Sequence, residues 1–205
     1  MLTRTCYHNS VPKLIDHVQR QEDLAEATWR VILREGISGV SIRTVAAEAG
    51  VSTGSLRHVF PSRIDLLVHA MRLVDQRASE RIQAHFVEPN PRTLVLAVIS
   101  ELLPLDAQRR AEMEVNIALI AEAPANDRIR QVRDDAYEVL RNACRRMATH
   151  LAINGSADSS LNIEEETTTL HALIDGLAVH MLINDNRDFD RQAQQIIGTH
   201  VDSLR

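Results

Sequence analysis

The hydrophobic positions of the chain recur at steps of three and four residues over most of its length, a pattern typical of amphipathic α-helices. The spacing predicts helices over residues 19–35, 42–49, 52–59, 63–86, 91–103, 107–123, 126–151, 164–184 and 189–204. Pro, Gly and Asn residues stand between these segments, where they end one helix or cap the next. We therefore expect an all-α fold of about nine helices.

Residues 41–60 are predicted to form two short helices joined by a tight turn. Apolar residues at helical spacing from Ile42 to Ala49 give the first helix an inward face. Gly50 is a natural left-handed stop because it has no Cβ to clash at positive φ. Ser52 is a suitable N-cap for the second helix. This layout is typical of a DNA-binding helix-turn-helix, with a plain helical hairpin and a solvated polar face as the alternative.

The faces of the second helix follow from a rotation of about 100° per residue. If Leu56 points inward, Gly54 and His58 point outward, and Ser55 and Arg57 flank them. The outward face is then small, hydroxylated and cationic, which suits base edges and phosphates. Gly54 would let the backbone approach DNA closely.

Together with its flanks, this segment resembles the N-terminal domain of the TetR/AcrR family of one-component transcriptional regulators. The resemblance is carried by the Trp-containing helix that ends at Gly36 and by residues 41–46, 49–54 and 60–67. It is dense over residues 20–68, and the order and spacing of its motifs are specific.

Two departures from the family pattern concern the second helix. The family usually has Tyr where this chain has Arg57, and often an aromatic residue where it has Val59. Arg63 keeps the charge of the family's phosphate-contacting Lys. The predicted DNA-binding residues are Ser41, Arg43, Thr44, Thr53, Gly54, Ser55, Arg57, His58 and Arg63.

Three segments are expected along the chain. Residues 1–18 form a flexible N-terminal arm, and residues 19–62 form the helix-turn-helix domain. Residues 63–205 form an effector-binding and dimerisation domain. The fourth helix has no internal Gly or Pro, so we expect a stiff connector that carries movement to the DNA-binding head.

The resemblance also implies an effector pocket inside the larger domain. The candidate lining residues are Met71, Leu102, Leu103, Met113, Asn116, Ile117, Ile120, Tyr137, Leu140, Cys144, His171 and Asp175. His171 and Asp175 are four residues apart on one helix face, so they could orient a polar ligand group or form a satisfied pair at a surface or subunit seam. With one Trp, two Tyr and three Phe in the chain, a large aromatic cage is disfavoured and a small aliphatic or amphipathic effector is preferred.

The last two predicted helices carry apolar residues on two sides, which indicates that they cover their own core and meet a second subunit. The predicted interface residues are Leu173, Leu177, His180, Met181, Phe189, Ile196, Ile197 and Val201. The family resemblance implies a four-helix bundle between the two copies. A homodimer also supplies a second DNA half-site roughly 34–36 Å away.

Composition is that of an ordinary folded protein, with 44% hydrophobic and 25% charged residues and a net charge of −5. Residues 1–60 carry seven Lys or Arg and six Asp or Glu, so charge alone would not identify a nucleic-acid partner. No apolar run reaches the length of a membrane span, and no secretory signal is evident. Cys6 and Cys144 lack zinc-site spacing, and a reduced, cytoplasmic protein is expected.

Catalysis is disfavoured because the sequence has no phosphate-binding Gly-rich loop, no nucleophile elbow and no zinc-protease motif. We expect no cofactor and no metal. The sequence therefore predicts a ligand-responsive regulator, most often a repressor in this family, whose homodimer binds a palindromic double-stranded DNA operator and is released by a small-molecule effector. The alternatives are a dimeric small-molecule-binding protein that does not bind DNA and a ligand-independent DNA-binding structural protein.

Overall fold

The computed structural model describes residues 13–154, 160–184 and 186–204. In this part, the chain is helical and contains no strand. Its α-helices are α1 (Lys13–Glu35), α2 (Ile42–Glu48), α3 (Thr53–Val59), α4 (Arg63–Gln83), α5 (Pro91–Leu102), α6 (Ala107–Glu122), α7 (Asp127–Ile153), α8 (Ile163–Ile183) and α9 (Arg187–Ser203). The prediction of an all-α fold with about nine helices is confirmed.

The predicted boundaries differ from the structure chiefly at α1, which begins at Lys13 rather than at residue 19. Residues 13–18 contain neither Gly nor Pro, so the helix extends through them at little cost. The C-terminal part of the predicted arm is therefore helical, and residues 1–12 lie outside the described residues. At its far end, α4 gives way to a 3₁₀ turn over Ala84–Val87.

Each helix from α2 to α9 begins at a Ser, Asn or Asp whose side chain accepts a backbone N–H from the first turn. These N-caps are Ser41, Ser52, Ser62, Asn90, Asp106, Asn126, Asn162 and Asn186. Such caps satisfy amides that have no partner within the helix, each typically worth about 1 kcal/mol. The helix starts are thus fixed by local side chains.

The first hydrophobic cluster, here called the head core, is formed by α1, α2, α3 and the first half of α4. Trp29 is buried in it, and its indole Nε1 donates a hydrogen bond to the Ala70 carbonyl oxygen at 2.9 Å. A buried indole needs such a partner, and this contact ties α1 to α4. Trp29 is therefore a structural residue of the head core.

The head core does not end at the predicted domain boundary. The end of α6 contributes Val115 and Leu119, and the start of α7 contributes Ile129 and Val132. Because interiors are close-packed, a shift of the α6–α7 joint is felt directly at the head.

The second cluster, here called the C-terminal core, is formed by α5, the second half of α7, α8 and α9. Helix α4 runs between the two clusters: Val74 is buried in the head core, whereas Ile82 packs on the C-terminal core. None of the described helices combines the length and the low polarity that a membrane span requires.

Candidate nucleic-acid interface

The turn between α2 and α3 is built by local backbone contacts. Gly50 has a φ of 68°, a left-handed value that other residues rarely adopt. The next amide, that of Val51, donates to the Ala46 carbonyl oxygen at 2.9 Å and closes the end of α2. Ser52 then caps α3 through the Ser55 amide at 3.1 Å. The two helices are thereby held at a fixed angle.

Helix α3 lies on the head with one face covered and the other open to solvent. Leu56 is fully buried, and Phe60, just after the helix, is almost so. Thr53, Gly54, Arg57 and His58 are exposed. The face predicted to meet DNA is therefore the solvent face.

Gly54 keeps this solvent face shallow. A Cβ built at this position would come no closer than 4.0 Å to the nearest side-chain atom, the Ser52 Oγ. The protein itself would thus admit a side chain at residue 54. Only an approaching molecule would be obstructed by one.

Ser41 and Thr44 fix the start of α2. The Ser41 Oγ accepts the Thr44 amide at 3.1 Å, and the Thr44 Oγ1 accepts the Ser41 amide at 2.9 Å. The Thr44 hydroxyl also lies 2.7 Å from the Gly39 carbonyl oxygen, to which it donates. These two predicted DNA-binding residues thus position α2, while Arg43 between them is exposed.

The acidic residue Glu48 on α2 is paired with two arginines of α1. Glu48 pairs with Arg30 and with Arg34, each at 2.7 Å. The hydrogen bonds from Arg30 and then Arg34 lower the pKa of the Glu48 carboxyl. Arg43 and Arg57 remain exposed on the outside of the helix-turn-helix.

Arg63, which is predicted to contact a phosphate, also has contacts within the protein. Its Nε donates to the Val40 carbonyl oxygen at 3.0 Å, and its Nη2 donates to that of Ile37 at 2.8 Å. Its Nη1 lies 3.7 Å from a carboxylate oxygen of Glu122, at the end of α6. The guanidinium is therefore held by three internal contacts, because the start of α4 abuts the loop that precedes α2.

The predicted effector residues fall into three groups by burial. Met71, Leu103, Cys144 and His171 are buried. Leu102, Met113, Asn116, Ile117 and Leu140 are partly buried, whereas Ile120, Tyr137 and Asp175 are exposed in the single chain. The three exposed side chains therefore border the surface rather than an enclosed interior.

The side chains of α7 and α8 meet around His171. The His171 Nε2 lies 3.4 Å from an Asp175 oxygen, and the Tyr137 ring lies 4.7 Å from the His171 ring. Cys144 is buried on α7, and burial followed by the negative charge of Asp175 raises the pKa of its thiol to about 12. The thiol is thus un-ionised at neutral pH and behaves as a small apolar group.

The predicted dimer residues need a correction, because four of them belong to the C-terminal core of a single protomer. Leu177, Met181, Ile197 and Val201 are buried there and offer no surface to a second chain. Of the remainder, Leu173 and Phe189 are partly buried, whereas His180 and Ile196 are exposed. Helical spacing alone does not show which of two apolar sides faces the protomer's own core.

Other exposed apolar side chains lie on α8. Val179 is 43% exposed and Ile183 is 74% exposed. With Ile196 at 37% on α9, they form the outer α8–α9 face, a name used below for these three residues.

Sequence profiles match both halves of the chain. The profile of the bacterial regulatory proteins of the tetR family matches residues 24–70. The profile of the C-terminal domain of BetI-type transcriptional repressors matches residues 91–205, more than half of the chain. The chain belongs to the TetR family. It is thus a transcriptional regulator with a DNA-binding helix-turn-helix domain.

Known members of the TetR family resemble the chain over nearly its whole length. The transcriptional regulator PksA of Bacillus subtilis (strain 168) is 36% identical over 196 residues, which cover 95% of this chain and 94% of PksA. A regulator from Pseudomonas aeruginosa PAO1 has a TM-score of 0.78 at 28% identity, covering 91% of this chain and 90% of its own. A regulator from Saccharomonospora viridis, solved in complex with choline, has a TM-score of 0.81 at 25% identity, covering 90% and 96%.

Membership of the TetR family also confirms that the chain is not an enzyme, because these proteins are transcription factors.

Two residues of interest in this TetR-family chain were not identified from the sequence. Arg20 on α1 donates a hydrogen bond from its Nη2 to the Ser55 Oγ on α3. The only local signal was its spacing of one turn from Leu24, which places it on the inward side of α1.

The second missed residue is Asp75, which lies on α4 just after the head core ends. It is partly buried and has no hydrogen-bond or ion-pair partner among the described residues. Burial raises the pKa of its carboxyl to about 6. A carboxylate kept in such a place is a candidate for ligand binding in a TetR-family regulator.

Proposed function

We propose that this regulator is a homodimeric repressor that acts in the cytoplasm, binds a palindromic operator and is released by a small-molecule effector. The observation that carries the proposal is the solvent-facing side of α3, with Arg57 and His58 exposed on a helix that Leu56 anchors in the head core. A helix of this kind fits the major groove, where an Arg can bind the O6 and N7 atoms of guanine.

Dimerisation follows from the small footprint of one recognition helix. Helix α3 has seven residues and reaches only a few base pairs. Two copies on a twofold axis would meet two half-sites roughly 34–36 Å apart, which supplies the missing affinity and register. The outer α8–α9 face provides exposed apolar surface for a self-complementary contact.

The effector site is proposed for the region where α4, α6, α7 and α8 meet between the two cores. Of the predicted residues, Met71, Asn116 and His171 are retained as lining candidates, and Asp75 is added. The choline complex of the regulator from Saccharomonospora viridis supports the binding of a small molecule by this chain. An unpaired, partly buried carboxylate suits a small amphipathic effector that carries a positive charge.

The α6–α7 joint is the proposed route from this site to the DNA. Arg128 on α7 pairs with Asp65 on α4 at 2.8 Å, and Glu122 lies 3.7 Å from Arg63. A ligand that shifts α6 or α7 would therefore move the first turn of α4 and the separation of the two heads. It can do so only by binding the two arrangements with different affinity, and full release needs a coupling free energy of a few kcal/mol.

The proposal is tested by binding of the full-length protein to the DNA upstream of its own gene over a range of salt concentrations. We expect an affinity that falls steeply with salt, because phosphate contacts release counterions. Arg57→Ala should weaken binding about tenfold or more, the usual effect of losing an Arg contact to a guanine. Arg146→Ala removes the same charge from an exposed position on α7 and should leave the affinity nearly unchanged.

Two alternatives give different results in the same experiment. If no DNA fragment shifts at low salt while a ligand still raises the melting temperature, the chain is a dimeric small-molecule-binding protein. If DNA binds but no ligand that stabilises the protein alters the DNA affinity, it is a ligand-independent DNA-binding protein.

A further inference from the structure

A charged side chain from outside the helix-turn-helix reaches the recognition helix. Arg20 lies on α1, one turn before the buried Leu24, and is itself partly buried. Its Nη2 donates a hydrogen bond to the Ser55 Oγ. Ser55 is in the first turn of α3, between the exposed Gly54 and the anchoring Leu56. The contact therefore joins α1 to the edge of the predicted DNA-facing surface.

This contact restricts what the Ser55 hydroxyl can do. A Ser hydroxyl has one hydrogen to donate and two lone pairs that accept, whereas a guanidinium only donates. The hydroxyl must therefore act as the acceptor toward Arg20, so its own hydrogen points elsewhere. The Ser55 amide is already used by the Ser52 Oγ at 3.1 Å.

The positive charge of Arg20 adds a preference of its own. A donor group on an incoming molecule would meet a hydroxyl oxygen already bonded to a cation, which disfavours a second donor nearby. An acceptor would meet a free O–H beside a positive charge, which favours it. The Ser55 hydroxyl is therefore better placed to donate a hydrogen bond to DNA than to accept one from it.

We infer that Arg20 is a positioning residue that fixes Ser55 as a hydrogen-bond donor, so that Ser55 selects a base with a major-groove acceptor at one position of each half-site. This inference rests on the proposed function, since it requires α3 to enter DNA. In the major groove, guanine presents the acceptors N7 and O6, and thymine presents O4. Adenine presents its N7 acceptor beside the N6 amino donor, whereas cytosine presents the N4 amino donor. The favoured base is therefore guanine or thymine, adenine is intermediate, and cytosine is the most strongly rejected.

The experiment begins with selection from a random double-stranded DNA library by the full-length wild-type protein. Single-base variants of the selected operator are then titrated against wild type, Ser55→Ala, Arg20→Met and the double variant. We expect wild type to prefer guanine or thymine over cytosine by roughly three- to tenfold at one position per half-site, the range for one hydrogen bond. Both single variants should lose most of this preference at the same position.

The double variant provides the direct test of positioning. If Arg20 acts through Ser55, removing both should cost no more discrimination than removing Ser55 alone. Arg20→Lys retains a donor and a charge and should recover part of the preference. Arg30→Met is the matched control, because it removes an Arg from α1 that pairs with Glu48 rather than with α3, and it should leave the preference intact.

Three results would overturn the inference. The first is an Arg20→Met variant that folds, as judged by its melting temperature, and keeps the full wild-type base preference. The second is an Arg20→Met variant that binds all sequences equally weakly with a lower salt dependence, which is the signature of a phosphate contact. The third is a preference for cytosine, which offers Ser55 only a donor. By contrast, a wild-type protein that selects no sequence at all would overturn the proposed function and the inference together.

Discussion

The ionised carboxylate of Asp75 lowers the stability of the folded protein because it is partly buried. Its carboxyl is partly buried on α4 without a counter-charge among the described residues, and burial raises its pKa to about 6. The folded protein therefore holds a proton on Asp75 more tightly than the unfolded chain does. This group's contribution to stability is present at low pH and is lost as the pH rises toward and through about 6.

Asp75→Asn should stabilise the protein at pH 7.5 and have little effect at pH 4. The expected gain at pH 7.5 is about 1–3 kcal/mol, because an amide avoids the cost of a partly buried charge. Urea unfolding at the two pH values measures it. Asp134→Asn, at an exposed position beside Arg133, should change the stability by less than about 0.5 kcal/mol at either pH.

A loss of unfolding free energy in Asp75→Asn at pH 7.5 would contradict this explanation of the Asp75 carboxyl. If Asp75→Asn destabilises the protein at pH 7.5, the carboxylate has a stabilising partner and is not available to a cationic effector. If instead the variant is more stable but no longer responds to a ligand that stabilises wild type, Asp75 is part of the effector site.

At the scale of helices, the first turn of α4 connects the head with the α6–α7 joint. Arg63 donates to the carbonyl oxygens of Val40 and Ile37, and its third contact is Glu122. The Arg63 side chain thus connects α4 with the loop before α2 and with the end of α6. Its loss would leave the Val40 carbonyl oxygen without this donor, whereas the Ile37 carbonyl oxygen would still accept the Val40 amide at 3.2 Å.

Arg63→Met should therefore lower both the stability and the affinity for DNA. We expect a loss of about 1–3 kcal/mol of unfolding free energy, the range for unsatisfied partly buried acceptors. Arg43→Met removes an exposed charge from α2 and should weaken DNA binding with little change in stability. Urea unfolding and DNA titration of both variants separate the two roles. An Arg63→Met variant that keeps wild-type stability but binds DNA weakly would instead restore Arg63 as a phosphate contact.

The structural features that could be predicted are those that depend on residues close together in the sequence. The helix-turn-helix follows from Gly50, the Ser caps and the apolar spacing of α2 and α3, all within twenty residues. Arg20 and Ser55 are 35 residues apart in sequence, so no local pattern could pair them. The burial of Asp75 likewise depends on how α4 packs, which its own helical spacing does not reveal.

At the scale of the whole molecule, the proposed dimer depends on which side of α8 and α9 faces the protomer's own core. The sequence correctly indicated apolar residues on both sides, but it could not show that Met181 and Val201 fill the C-terminal core. The outer α8–α9 face is what remains exposed. A twofold contact through this face would be self-complementary, with the same residues of both protomers in the interface.

Ile183→Glu should disrupt this assembly. A buried, unpaired charge at a subunit contact is costly, so we expect monomers in sedimentation experiments and a large loss of affinity for a two-half-site operator. Ile153→Glu is the matched control, because Ile153 is 77% exposed on α7 and Ile183 is 74% exposed on α8. If Ile183→Glu remains a dimer, a different surface joins the two copies.

In the proposed complex, the exposed face of α3 enters the major groove twice, once from each protomer. Methylation interference can detect this, because methyl groups on guanine N7 project into the major groove, where Arg57 would bind. We predict two clusters of interfering guanines on one face of the duplex, separated by about one helical turn, and loss of the interference at the Arg57 contacts in Arg57→Ala. Interference at a single cluster, or binding that is indifferent to methylation in the major groove, would show that α3 does not bind DNA in this way.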